Sequence, residues 1–524
     1  MVLGARGVAE FLEASAARSP DKVGLVTGKT SHTWAALDAW ANRIGHALRA
    51  KGVGRGDRVL IFGDNSAEVA VSIWGALKAD AVFFVVNAQV KAEKLAYMFD
   101  DAGVAAVIAD AALATAWTEA CKLAETVPPI LVHGAQTARA LEMANAAGVP
   151  RVESFAELVA AQHPTAPARS TIDVDLAAII YTSGSTGEPK GAMLTHRNVA
   201  FASWSVTTLL ENTADDVIIG VVPLAFNYGL YQWLMTVRLG ATLVLERSFA
   251  FPVAILQRAA ETGATGFPGV PTMYALLGEL KDIPVQPLTK VRYVTSTAAA
   301  LLPKHFEAIA RWFPNATVYS MYGLTECKRV SWLPPADLAR KPGSVGVPIP
   351  GTEFWVVDAE GRRHDRSAEG ELVVRGSHIM AGYWRKPEVT ARYLRPAALP
   401  NEVLFYTGDY ARLDDEGYLY FIARMDEVIK TRGEKVAPRE VEAALERIEG
   451  VRECAVVGVP DAILGAAVKA FVVLSDEYQG RYTEKDLMLR LGQMLEAYMV
   501  PKQVEFRPSL PKTAMGKIVK KGLS

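Results

Sequence analysis

The chain has 524 residues, half of them hydrophobic and 22% charged, a globular composition that excludes a disordered or low-complexity polypeptide. That length exceeds what one hydrophobic core usually spans, so at least two domains are expected. A formal charge of -1 excludes a global field that would collect nucleic acid or an anionic membrane, so any phosphate binding must be local.

The first residues, through Lys22, place Glu10 and Glu13 among apolar positions, which predicts an amphipathic helix rather than an export signal and hence a cytoplasmic protein. From Asp57 to about Val132, short apolar runs (RVLIF, AVFFVV, VAAVIAD, PPILVHG) alternate with helical periods such as AEVAVSIWGALKA. This is the pattern of parallel α/β units. The most apolar stretch, Val69 to Val86, is interrupted by Lys78 and Asp80, and reads as a buried helix and strand instead of a membrane span. Gly134 to Thr171 is rich in Ala and Pro and reads as a linker between two α/β halves. The alternation returns after Asp175, with DLAAIIYT, DVIIGVVPL, ATLVLE, ATGFPGV, VRYVTS and ATVYSMYG. After about Lys341, short strands and glycine turns predict a small β subdomain. In the last hundred residues, PREVEAALERI puts Pro438 at the first helical position and Val441, Leu445 and Ile448 on one face. The strand-like CAVVGVP follows, enough for a small α+β domain. Cys121, Cys327 and Cys454 are far apart and lack metal spacing, which predicts a reducing compartment with neither disulfides nor zinc.

The segment with the clearest chemistry is Tyr181-Thr-Ser-Gly-Ser-Thr-Gly-Glu-Pro-Lys190-Gly, which follows an apolar strand and precedes a helical stretch from about Thr195. Small residues (Gly184, Gly187) let backbone N–H groups approach a polyphosphate. Hydroxyls of Thr182, Ser183, Ser185 and Thr186 add donors, and Lys190 adds charge. It is not a Walker loop, because Lys190 precedes Gly rather than Ser or Thr, and it lacks the dinucleotide glycine spacing.

This loop resembles the hallmark of the adenylate-forming superfamily of acyl-CoA synthetases, peptide-synthetase adenylation domains and luciferases. Further family-like segments follow in order: Tyr322-Gly-Leu-Thr-Glu326, Tyr406-Thr-Gly-Asp409, Arg424 through Gly433, and Pro511-Lys-Thr-Ala-Met-Gly-Lys517. The resemblance covers nearly the whole chain. It implies an α/β fold in which a large N-terminal domain of two α/β subdomains plus a small β-barrel subdomain (residues 1–424) binds ATP and acid. A small mobile α+β lid (425–524) follows.

The resemblance implies roles as well. Tyr322 stacks on adenine, Thr325 holds the α-phosphate, and Glu326 binds magnesium. Asp409 accepts the ribose hydroxyls with Arg424 beside it, and Lys517 bridges the carboxylate and the α-phosphate. Asp426 is the hinge, and Gly433 leaves room for a thiol arm. The reaction implied is activation of a carboxylic acid by ATP to an acyl-adenylate, then acyl transfer to CoA. An amine acceptor, as in the coronafacic-acid-ligase type of enzyme, and the thiol of a separate carrier protein remain alternatives. A non-catalytic nucleotide-binding module is disfavoured by retention of Thr325, Glu326, Asp409, Arg424 and Lys517 together. No nucleic acid and no integral membrane segment are expected.

The acid pocket departs from the family pattern. Many acyl-CoA ligases carry Pro-Leu-Phe-His before a Gly, whereas this chain has Phe226, Asn227 and Tyr228 before Gly229, so the usual His is replaced by Phe226. A neutral Asn227 cannot supply the carboxylate that binds a substrate ammonium, which argues against a free α-amino acid as first substrate. Across the pocket, Thr297, Ala298, Ala299 and Ala300 stand where the family has Gly-Gly-Ala-Pro, with Gly323 nearby, which predicts a tighter cavity. The expected acid is small to medium, apolar, cyclic or aromatic, with room for one polar substituent.

Overall fold

The protein, represented by a computed structural model, is described at residues 7–183, 189–281, 283–297, 301–425, 427–431, 434–461, 465–513, 518–520, 522 and 523. It divides into two units. One comprises Met1–Arg340, Pro348–Glu353 and Arg375–Leu394; the other comprises Lys341–Val347, Phe354–Val374 and Arg395–Ser524.

The larger unit is built on two sheets. In the first, strands run in the order Val152–Ser154, Ile130–His133, Val104–Asp110, Arg58–Phe62, Val82–Val86, Leu176–Ser183, Pro189–Thr195 and Gly382–Tyr383. The strands joined through helices pair in parallel, as crossover connections require, and only the last two pairings are antiparallel. Leu60, Phe62, Phe84, Phe99 and Trp117 fill one core against this sheet. The apolar run from Val69 does form a helix, Ala67–Lys78, capped by the Ser66 hydroxyl accepting from Val69 N–H. The strand Val82–Val86 follows. Its interrupting Lys78 is fully buried and satisfied by Asp38 (2.7 Å), Glu13 (3.1 Å) and the Asn42 side chain. Among the described residues, no helix is long and apolar enough to cross a membrane.

The stretch Gly134 to Thr171 is not merely a linker. It supplies the helix Thr137–Ala146, the strand Val152–Ser154 at the sheet edge and the helix Phe155–Ala160. The buried positions of the helix Thr137–Ala146 are Ala140 and Ala144, so its inward face is made of small residues and looks like low-complexity sequence rather than an amphipathic period.

The second sheet runs Ser331–Leu333, Thr317–Tyr322, Tyr293–Ser296, Gly266–Gly269, Val217–Gly220, Thr242–Leu245, Val23–Thr27 and Thr30–Thr33. It is parallel within and antiparallel at these ends.

The chain after Lys341 does not stay in one β subdomain. Arg375–Leu394 belongs to the larger unit, where Gly382–Tyr383 pairs with Ala192 and Met193 and the Trp384 indole N–H donates to Asp101 O at 2.9 Å. In the smaller unit, the strand Ala368–Gly376 up to Val374 and the strands Val403–Leu413 and Leu419–Arg424 form one antiparallel sheet. Glu434–Val436, Ile429–Thr431, Gly465–Leu474 and Val451–Asp461 form another, with Gln503–Phe506 parallel to Gly465–Leu474. The helix Pro438–Glu446 starts on Pro438 and buries Val441 and Leu445, with Ile448 just beyond, as its period predicts.

Candidate active site

Two paired strands flank the phosphate-type segment. Strands Leu176–Ser183 and Pro189–Thr195 pair antiparallel up to Ser183 opposite Pro189, and Thr182 lies opposite Lys190. Lys190 therefore stands on a strand rather than in a flexible turn, and the Thr182 hydroxyl donates to its carbonyl at 3.4 Å. The helix that follows, His196–Leu209, begins one strand later on a capping box of Thr195 and Asn198. On the first of these strands, the Tyr181 hydroxyl donates to Asp101 at 2.6 Å, and burial together with that carboxylate pushes the phenol far above its usual range. Gly184, Ser185, Thr186 and Gly187, and the Ser183 side chain, lie outside the described residues.

A second hairpin carries Tyr322, Thr325 and Glu326. Tyr322 ends its strand opposite Ser331, so residues 323–330 form the connecting loop. Its base is tight, because a Cβ on Gly323 would lie 2.3 Å from Lys328 O. Glu326 is held from two sides: its carbonyl accepts Met380 N–H at 2.7 Å, and its Oε1 accepts the Tyr383 hydroxyl at 2.7 Å. The segment that rejoins the larger unit thus fixes an acidic side chain by a contact the sequence did not reveal.

The predicted acid-pocket residues converge in the same unit. Phe226 is the N-cap of the helix Asn227–Leu239, and its side chain makes no capping bond. A Cβ on Gly229 would lie 2.3 Å from Pro223 O, so that turn admits only glycine. The Tyr228 hydroxyl is already used, bonding Thr295 Oγ1 at 2.6 Å and Thr295 O at 3.1 Å. The Asn227 side-chain oxygen is buried without a hydrogen-bond partner among the described residues. Thr297 accepts from Arg329 Nη1 at 3.1 Å. Ala298 and Ala299 lie outside the described residues.

Sequence reasoning missed Lys328 and Arg329, which follow the Thr325–Glu326 pair and are 3% and 4% exposed. Burial, reinforced by Arg329, pushes the Lys328 ammonium well below the usual lysine range. The sequence carries no separate signal for them, because two cations in a loop before the strand Ser331–Leu333 read as solvated surface.

In the smaller unit, Tyr406-Thr-Gly-Asp409 lies in the middle of the strand Val403–Leu413. Asp409 is 2% exposed and accepts from Arg424 Nη1 at 2.6 Å, its partner in strand register. The same Arg424 nitrogen donates to Thr407 O at 3.3 Å, and the Asp409 N–H donates to Thr407 Oγ1. The two ribose-type residues are thus brought together. The C-terminal basic run is tethered: Lys512 bridges Ile518, Val519 N–H donates to Pro511 O at 2.8 Å, and Lys520 pairs with Glu442 at 2.7 Å. Lys517, Asp426 and Gly433 lie outside the described residues.

A family model for AMP-binding enzymes matches residues 12–384, and one for the AMP-binding enzyme C-terminal domain matches residues 440–517. A feruloyl-CoA synthase of Amycolatopsis sp is 32% identical, over 98% of this chain and 98% of its own. A long-chain-fatty-acid–CoA ligase of Bacillus subtilis is 31% identical, over 98% and 93%. Among solved structures, ATP-bound MatB from Rhodopseudomonas palustris matches with a TM-score of 0.85 and 29% identity, covering 98% of each chain.

Proposed function

The chain belongs to the family of AMP-binding enzymes, and on that premise we propose that it is an AMP-forming acid–thiol ligase acting on a carboxylic acid, ATP and CoA. A carboxylate oxygen attacks the α-phosphorus of ATP, pyrophosphate leaves, and the CoA thiolate then attacks the acyl carbon, releasing AMP. The observation that carries this reading is the Tyr322–Ser331 hairpin, in which Thr325 and a doubly anchored Glu326 stand together. The relatives named as CoA ligases span nearly the whole chain, which supports the thiol acceptor.

In this proposal Tyr322 packs on adenine, and Thr325 donates to the α-phosphate. Asp409, held by Arg424, accepts the ribose hydroxyls. Thr182, Ser183, Gly184, Ser185, Thr186, Gly187 and Lys190 bind the polyphosphate. Glu326 would hold magnesium: one carboxylate oxygen is fixed by Tyr383, which leaves the other suited to a hard cation. When bound, the ion supplies charge neutralisation at the phosphates. Lys517 steadies the two anionic reactants, residues 425–524 move about Asp426 between half-reactions, and Gly433 admits the thiol arm. Phe226, Asn227, Tyr228, Gly229, Thr297, Ala298, Ala299 and Gly323 line the acid pocket. Three buried free thiols suit a reducing, cytoplasmic setting.

Phe226 in place of the family's His keeps an amine acceptor, or a carrier-protein thiol, as the second reading. The test is acid-dependent pyrophosphate release across aliphatic, cyclic and aryl acids, run alone, with CoA and with mixed amino acids, and with products weighed. A CoA-dependent thioester is the expected product. An amide formed only with amino acids refutes the thiol acceptor.

A further inference from the structure

The acid pocket assigned above contains an electrostatic imbalance. Lys328 Nζ lies 4.2 Å from the Tyr231 ring centre, 5.5 Å from that of Tyr228 and 3.5 Å from Asn227 O. The Arg329 guanidinium lies 4.8 Å from the Tyr228 ring centre, donates to Thr297 Oγ1, and directs its Nε at the Met321 sulfur at 3.3 Å. Among the described residues, no Asp or Glu carboxylate pairs with either cation. Tyrosine faces attract a buried cation, but two adjacent positive groups withdrawn from water without a counter-charge are otherwise disfavoured.

Two further details mark the place as built rather than incidental. Lys328 holds φ at 59°, a left-handed conformation uncommon for a side-chain-bearing residue. It turns the chain between Thr325–Glu326 and the strand Ser331–Leu333. Beside it, the Asn227 side-chain oxygen is buried with no hydrogen-bond partner among the described residues. Donors from Lys328 and Arg329 therefore meet at the Tyr228 ring, on the helix and loops already assigned to the acid.

We propose that the acid this enzyme activates carries a second oxyanion at its far end, and that Lys328 and Arg329 receive it. This rests on the acid-activating reading and deepens it. The distal group is a carboxylate or a phenolate, the shared chemistry being a negative oxygen able to accept several hydrogen bonds. An ammonium-bearing tail is rejected by the same pair of cations.

The test compares acids matched in shape. Pyrophosphate release is measured as kcat/KM for glutarate against pentanoate, and for terephthalate and 4-hydroxybenzoate against 4-methylbenzoate, in wild type, Lys328→Met and Lys328→Arg. Wild type is expected to favour an oxyanion-tailed member by roughly tenfold to a hundredfold, the range for a hydrogen bond to a charged group. Lys328→Met should bring that ratio towards one, and Lys328→Arg should keep much of it. Preference within the aryl arm identifies carboxylate or phenolate. A wild-type ratio at or below one in every pair overturns the proposal, as does a ratio unchanged in Lys328→Met. Should Lys328→Met fail to fold, the wild-type ratios and the arginine variant decide. Absence of pyrophosphate with every acid refutes instead the activity reading beneath it.

Discussion

Replacing Gly323 with alanine should disable adenylation without unfolding the protein. The new Cβ would sit 2.3 Å from Lys328 O and 2.8 Å from Arg329 Cα, and both obstacles are backbone that no side-chain rotation relieves. The first is about 1 Å short of ordinary van der Waals contact, so the loop from Leu324 to Arg329 must move by a comparable distance. That loop carries Thr325 and Glu326, and a misplacement of about 1 Å at reacting groups costs on the order of 100-fold in rate. Overpacking of this kind destabilises by about 1–3 kcal/mol. The assay is single-turnover formation of acyl-AMP, beside thermal unfolding of the same preparation. Glycine-to-alanine kinetics within about twofold of wild type at unchanged Tm would refute the claim that the tight base of this hairpin sets the position of Thr325 and Glu326.

Lys517→Ala should lower adenylation by on the order of 100-fold or more, with turnover of supplied acyl-AMP and CoA much less affected, as rapid quench of each half-reaction would reveal. Lys520→Ala removes the tether to the buried Glu442 carboxylate. Its adenylation rate should fall by roughly tenfold, and the protein should lose about 1–3 kcal/mol in urea unfolding, with Lys520→Arg restoring much of both. His196 is neutral in the folded protein, because burial holds it at about 4 and its Nδ1 accepts Val8 N–H. The unfolded chain takes up a proton near 6.5, so stability falls as pH drops from 6.5 to 4, by about 3 kcal/mol from this group. In His196→Gln that part of the acid loss should be absent from urea unfolding measured at pH 7 and pH 4.5.

Much of the fold was written locally. The helices Ala67–Lys78 and Pro438–Glu446 and the parallel strands follow from apolar period, Ser66 and Pro438 at helix starts, and turns between. Two features were not legible, for physical reasons. The helix Thr137–Ala146 turns inward on alanines, which carry little amphipathic contrast. The pairing of Gly382–Tyr383 involves two residues, too few to show a period of two, and its location depends on Met193 and Ala192 far away in the chain. The site divides in the same way. Asp409 and Arg424 were named from separate segments, and strand register makes them neighbours. Lys328 and Arg329 were passed over because a charged pair in a loop reads as solvated surface; the turn at Gly323 and the rings of Tyr228 and Tyr231 help enclose them.

The chain passes from one unit to the other after Arg340, Val347, Glu353, Val374 and Leu394. No single breakpoint in the gene therefore separates the two. A recombination event at Arg340 would leave the larger unit without Tyr383 on Glu326 and without Trp384 on Asp101. Exchange of the larger unit between homologues is then viable only when the short segments Pro348–Glu353 and Arg375–Leu394 travel with it. New substrate ranges in this lineage should arise more readily by point substitution around the pocket than by shuffling of whole modules.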